Sequence, residues 1–140
     1  VALAFLNDRT LLALDSGAEA VVRIDTREDT IEGSFLVGPE PVAMALATNG
    51  RVLVSNSSDS KLRVFNGATG QALNTINLPV CRWGRCSVMS LATDGDTVYA
   101  ADSNQQEVFA ASISSGEIKS TYPVPAGPRW LAVAPAPPAN

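Results

Sequence analysis

The chain contains no histidine. That absence excludes Ser-His-Asp and Cys-His nucleophilic arrangements within it, and removes the usual acid–base residue of neutral pH. Cysteine is almost as scarce, with only Cys81 and Cys86. Two thiolates without an imidazole half fill a tetrahedral metal site, and C-x4-C is longer than the common C-x2-C pair, so a metal centre is disfavoured. Charged residues make up 17% of the chain, with a net charge of −4, which argues against nucleic acid as a partner, since that polymer favours basic stripes. There is no Gly-rich phosphate loop. No apolar run approaches the roughly 20 residues of a membrane-spanning helix. Neither an initiator Met nor a signal peptide opens the chain, so any targeting segment is expected to have been removed or to lie outside it.

What is present is a repeat. Hydrophobic residues form 46% of the 140 residues, a globular composition, and Gly and Pro fall mostly between short apolar runs. Four runs share the order apolar, small, apolar: Leu3-Ala4-Phe5, Met44-Ala45-Leu46, Met89-Ser90-Leu91 and Leu131-Ala132-Val133, their central residues 41, 45 and 42 positions apart. After each of the first three comes a turn (Asn7-Asp8-Arg9, Asn49-Gly50, Asp94-Gly95). A second run follows, ending in a carboxylate or carboxamide: Leu11 to Asp15, Val52 to Asn56, Val98 to Asp102. Third runs lie at Val21 to Asp25, Leu62 to Phe65 and Val108 to Ala111, and fourth runs at Ile31 to Leu36, Leu73 to Leu78 and Ile118 to Val124. Each unit therefore reads as four short strands, and the chain as all-β. The units are expected at about 1–41, 42–87 and 88–130, with 131–134 opening a fourth and 135–140 a Pro-rich linker or terminus.

Units of this length, with a proline entering the first strand and with ALATNGRVLVSN, SLATDGDTVYAAD and VFNGATG in register, resemble the repeats of YVTN and NHL-type β-propellers. The resemblance implies blades of four antiparallel strands, about three of them complete. Rings of this type usually close with about six or seven blades, so the chain is expected to be part of a larger ring or assembly. Its partners would be further blades, from the same parent protein or from neighbouring chains. The small residues Ala4, Ala45, Ser90 and Ala132 suit the innermost strand, where blades converge. Val1 stands where the motif is already under way, as in a cut fragment or processed product.

Antiparallel order puts the turns between second and third strands on the same side as the unit-to-unit connections. That side carries Arg82, Trp83, Arg85, Arg129 and Trp130. Aromatic residues with arginine on a loop-rich face suit a binding surface for carbohydrate, anionic groups or another protein. The competing reading packs Trp83 under its own loop and Trp130 into a junction between units. Cys81 and Cys86 are expected to close a small disulfide ring, with free thiols as the alternative, and a disulfide indicates an oxidising compartment. Asn56-Ser57-Ser58 is an N-glycosylation sequon at an expected exposed turn. Asp15, Asn56 and Asp102 recur at one strand end, either as general-base or metal groups around a channel or as turn caps; the turn reading is favoured because one of the three is not a carboxylate. No catalytic residue, metal site or cofactor is assigned. The expected function is a non-enzymatic extracellular or cell-surface scaffold or binding module. The alternatives are a fragment of a propeller hydrolase or lactonase whose site is completed by missing blades, and a domain of a redox or sensor protein.

Overall fold

A computed structural model describes residues 2–57, 59–79, 88–125, 128 and 131–133. Among these residues twelve strands form three four-stranded sheets in which neighbours in sequence are neighbours in space. The first sheet holds β1 (Ala2–Phe5), β2 (Thr10–Asp15), β3 (Ala20–Asp25) and β4 (Thr30–Leu36). The second holds β5 (Pro41–Leu46), β6 (Arg51–Asn56), β7 (Lys61–Asn66) and β8 (Ala72–Asn77). The third holds β9 (Val88–Asp94), β10 (Thr97–Asp102), β11 (Glu107–Ser112) and β12 (Ile118–Pro123). All pairings are antiparallel. No helix among the described residues is long and apolar enough to cross a membrane.

Period-2 alternation decides what each strand buries. In the first sheet Leu12, Leu14 and Val21 leave one face and pack on Val52, Val54 and Phe65 of the second, with Phe35 and Phe65 rings 5.5 Å apart. The opposite face of the second sheet, with Leu53, Leu62, Val64 and Ile76, packs on Leu91, Val98, Phe109 and Ala111 of the third. The sheets are therefore stacked, and β1, β5 and β9 run side by side along their inner edge. Middle strands, covered on both faces, carry most of the core, while the outer strand β4 is mostly exposed.

The same backbone hydrogen bonds recur in each unit. Thr26 N–H donates to Arg9 O at 2.8 Å, Gly67 N–H to Gly50 O at 2.9 Å and Ile113 N–H to Asp96 O at 2.7 Å. Val37 N–H to Glu19 O, Leu78 N–H to Ser60 O and Val124 N–H to Gln106 O form a second equivalent set. This register corrects one sequence alignment. Ala4 pairs with Leu12, Ala45 with Leu53 and Ala92 with Tyr99, so Ala92 rather than Ser90 stands level with Ala45. The cause is the turn. Gly95-Asp96 alone joins β9 to β10, whereas residues 6–9 and 47–50 join the equivalent strands. A shift of two residues leaves every side chain on its own face, so the hydrophobic pattern is blind to it.

The two ends of the stack differ. The outward face of the first sheet is open, with Leu3 64%, Phe5 59% and Ile31 72% exposed. On the outward face of the third sheet, Ala101 is fully buried and Ala110 only 3% exposed. Leu131, Ala132 and Val133 lie there beside Ala92 and Tyr99, and Leu131 N–H donates to Ser90 Oγ at 3.0 Å. Residues 131–133 do not form the strand expected of 131–134.

Candidate functional site on the loop face

The turns after β2 and β6 meet the connections between sheets on one side of the stack. Ser16 Oγ donates to Pro41 O at 3.1 Å, and Ser57 donates through N–H to Glu40 O and through Oγ to Glu40 Oε2, both at 2.9 Å. Arg82, Trp83, Arg85, Arg129 and Trp130 lie outside the described residues, as do Cys81 and Cys86.

At the centre of the described part is Asn56, which is 4% exposed. Its Nδ2 donates to Val37 O at 3.2 Å and Pro39 O at 2.8 Å, and its Oδ1 accepts from Arg63 Nη1 at 2.8 Å. The expectation of an exposed glycan acceptor is corrected. A glycan on Nδ2 would remove one of the N–H donors that satisfy the Val37 and Pro39 carbonyls, at a residue that is almost wholly buried. Arg63 is in turn held by Asp59, Nη2 to Oδ2 at 2.6 Å and Nη1 to Oδ1 at 3.3 Å, a two-pronged ion pair. Gly38, at φ +89°, passes so close that an added Cβ would stand 3.2 Å from Arg63 Nε and 3.3 Å from Asn56 Nδ2. Beside this cluster, between the first and second sheets, opens a cleft of about 390 Å³ lined by Leu36, Gly38, Arg63, Phe65, Leu73 and Thr75. Because Asp59 neutralises Arg63, the cleft offers apolar contact and backbone edges rather than an unpaired charge.

The recurrent strand-end groups serve their own turns. Asp15 Oδ1 accepts from Ala18 N–H at 3.0 Å, and Asp102 Oδ1 accepts from Asn104 N–H at 3.0 Å and Gln105 N–H at 3.2 Å. These are side-chain-capped turns, in which the carboxylate stands in for a backbone acceptor. Two of the three positions cap local turns and Asn56 anchors the preceding connection; among the described residues no group of three His, Cys, Asp or Glu is placed to hold a metal ion.

The opposite side of the stack holds two carboxylates that sequence reading passes over. Asp96 accepts from Ser114 Oγ at 2.7 Å, Ser112 Oγ at 2.8 Å, Ser114 N–H at 3.1 Å and Arg51 Nη2 at 3.2 Å. The hydroxyl of Ser114, then that of Ser112, lowers its pKa from 3.8 to about 2 against the opposing cost of desolvation, with Arg51 adding to the effect. Arg51 belongs to the second sheet, so the pair ties it to the third. Asp25 accepts from Arg9 Nε at 2.7 Å, and from the N–H groups of Arg27 and Glu28 at 2.9 and 3.1 Å. The Arg9 hydrogen bond is the main cause that lowers its pKa from 3.8 to about 2, and the Arg9 guanidinium is raised in return. The usable signal is register: Thr10, Arg51 and Thr97 stand opposite Asp25, Asn66 and Ser112 at one position of each unit, and the residue just before each, Arg9, Gly50 and Asp96, is the one that in the first and third units reaches across to Asp25 and to Ser112.

No protein-family model matches the chain, and no curated protein sequence matches it. Among solved structures, it is similar to hydrazine synthase of Kuenenia stuttgartiensis, with TM-score 0.73 at 21% identity over 89% of this chain and 36% of that one. It is also similar to AztD of Citrobacter koseri, with TM-score 0.72 at 14% identity over 94% of this chain and 36% of that one. The apo form of AztD gives TM-score 0.69 at 14% identity over 88% and 34%. The fold is that of β-propeller blades. Identities this low carry the fold alone, and the chain spans about a third of the length of these neighbours. The three sheets are thus three blades of a partial propeller, stacked as in a ring.

Proposed function

We propose that the chain is a non-enzymatic β-propeller module of the YVTN/NHL type, acting as an extracellular or cell-surface scaffold or binding element. Further blades complete its ring, from the same parent protein or a neighbouring chain. The observation that supports this reading is the fate of the recurrent polar groups: Asp15 and Asp102 cap their own turns and Asn56 fastens a connection, so they brace a loop face instead of converging on a reacting centre. A braced face made of turns suits recognition of carbohydrate or of another protein.

The test is a binding screen of the intact parent protein against polysaccharides and surface proteins, repeated with Trp83→Ala. Binding that Trp83→Ala weakens while the melting temperature holds would support the reading. Hydrolysis of esters or lactones by the parent protein, abolished by Asp102→Asn in a variant that stays folded, would overturn it in favour of a propeller hydrolase or lactonase.

A further inference from the structure

We infer that Asn49 is a site of spontaneous deamidation and isoaspartate formation, which acts on the junction between the second and third blades. The chain holds two Asn-Gly dipeptides, Asn49-Gly50 and Asn66-Gly67. In such a pair the glycine nitrogen attacks the asparagine side-chain carbonyl carbon. A new N–C bond closes a succinimide ring as the C–NH2 bond breaks, and the amine leaves as ammonia with the proton lost from the glycine nitrogen. Water then opens the ring at either carbonyl, giving aspartate or isoaspartate. One water enters and one ammonia departs, with no redox change. Glycine favours the attack because it has no Cβ to hinder the nitrogen.

The fold holds the two carboxamides differently. Asn66 Oδ1 accepts from Ala68 N–H at 2.9 Å and Thr69 N–H at 3.2 Å, which pins the carboxamide in its turn. The attacking atom there, Gly67 N, is committed to Gly50 O at 2.9 Å. Gly67 is also packed so closely that an added Cβ would lie 2.8 Å from Gly50 O. Asn49, by contrast, is exposed, sits at φ +64° and belongs to the 3-10 turn Thr48–Gly50, which has no side-chain cap. Among the described residues no hydrogen bond holds its carboxamide. The side chain of Asn49 is thus not held by the fold in the way that of Asn66 is.

The product would form at a sensitive place. Thr48 Oγ1 donates to Gly95 O of the third blade at 3.4 Å, Thr48 O accepts from Arg51 Nε at 3.3 Å, and Arg51 Nη2 reaches Asp96 at 3.2 Å. Isoaspartate inserts an extra methylene into the main chain between Thr48 and Arg51 and adds a carboxylate that competes with Asp96 for Arg51.

The test incubates the full chain in mildly alkaline buffer at body temperature, folded and in concentrated urea, followed by peptide mapping by mass spectrometry with isoaspartate detection. In the folded chain the rate at Asn49 should exceed that at Asn66 by about tenfold or more, the factor that about 1.4 kcal/mol of barrier gives. In urea the two rates should converge. Equal rates in the folded chain, or protection of Asn49 by folding to the same degree as Asn66, would overturn the assignment. The deamidated fraction, collected by ion exchange and with its isoaspartyl content measured by peptide mapping, should melt below an Asn49→Asp variant that has the charge without the extra methylene. Equal melting temperatures would overturn the effect on the junction.

Discussion

Phe109 and Phe5 place the same side chain in a closed and in an open part of the stack, so comparing Phe109→Ala with Phe5→Ala tests the stacking directly. Phe109 is 2% exposed and packs in the junction of the second and third blades with Leu53, Leu62, Val64 and Ile76. Truncating a buried phenylalanine to alanine costs about 3–5 kcal/mol, the lost burial plus the cavity left behind. Domains have only about 5–15 kcal/mol of net stability, so this is a large share of the whole. At about 3–5 °C per kcal/mol for a chain of this size, the melting temperature should fall by roughly 10–20 °C. Phe5 is 59% exposed on the open face of the first blade, and its truncation in dilute, unassociated chain should stay within about 0.5 kcal/mol. Urea titrations followed by circular dichroism measure both. Equal losses at the two positions, or a larger loss at Phe5, would refute the stacking order.

Three further outcomes follow from the loop and turn geometry. Asn56→Ala should cost about 1–3 kcal/mol in a urea titration, because it removes the bonds that hold the Val37 carbonyl and one arm of Arg63; a neutral result would show that Asn56 does not anchor the connection. Asp25 and Asp96 have folded pKa values lowered from 3.8 to about 2, so their contribution to stability is fully present above the unfolded value and is lost as pH falls through that interval. Asp25→Asn and Asp96→Asn should each flatten the acid limb of a stability–pH curve, and an unchanged limb would contradict the assignment. Alkylation of the native chain before reduction should leave Cys81 and Cys86 unlabelled, as a bonded pair requires; two labelled thiols would remove the case for a disulfide and weaken that for export.

The fold was legible because the hydrophobic pattern has period 2 and repeats. Leu12, Leu14, Val52, Val54, Val98 and Ala100 are buried as strand alternation requires. The level of Ala92 was not legible, since a two-residue slip preserves the facing of every side chain and only the ladder to Tyr99 reveals it. The loop face was harder to read. Asn56 looks like a turn residue because its neighbours in sequence are Ser57 and Ser58, yet its partners Val37, Pro39 and Arg63 are brought to it by the fold from elsewhere in the chain. Asp96 was passed over for the same reason: Ser112, Ser114 and Arg51 all lie at least 16 residues away.

The central claim is that these blades are part of a ring, with the outward face of the first blade meant to be covered. Leu3, Phe5 and Ile31 are exposed together on that face, and soluble monomers rarely leave a contiguous apolar patch of that kind uncovered. Light scattering on the isolated 140-residue chain, with its unfolding followed in parallel, tests this most directly. The account predicts a dimer, a larger assembly or aggregation, relieved by Phe5→Ser with Ile31→Ser. A stable, soluble monomer that unfolds cooperatively, and whose size those substitutions leave unchanged, would contradict it.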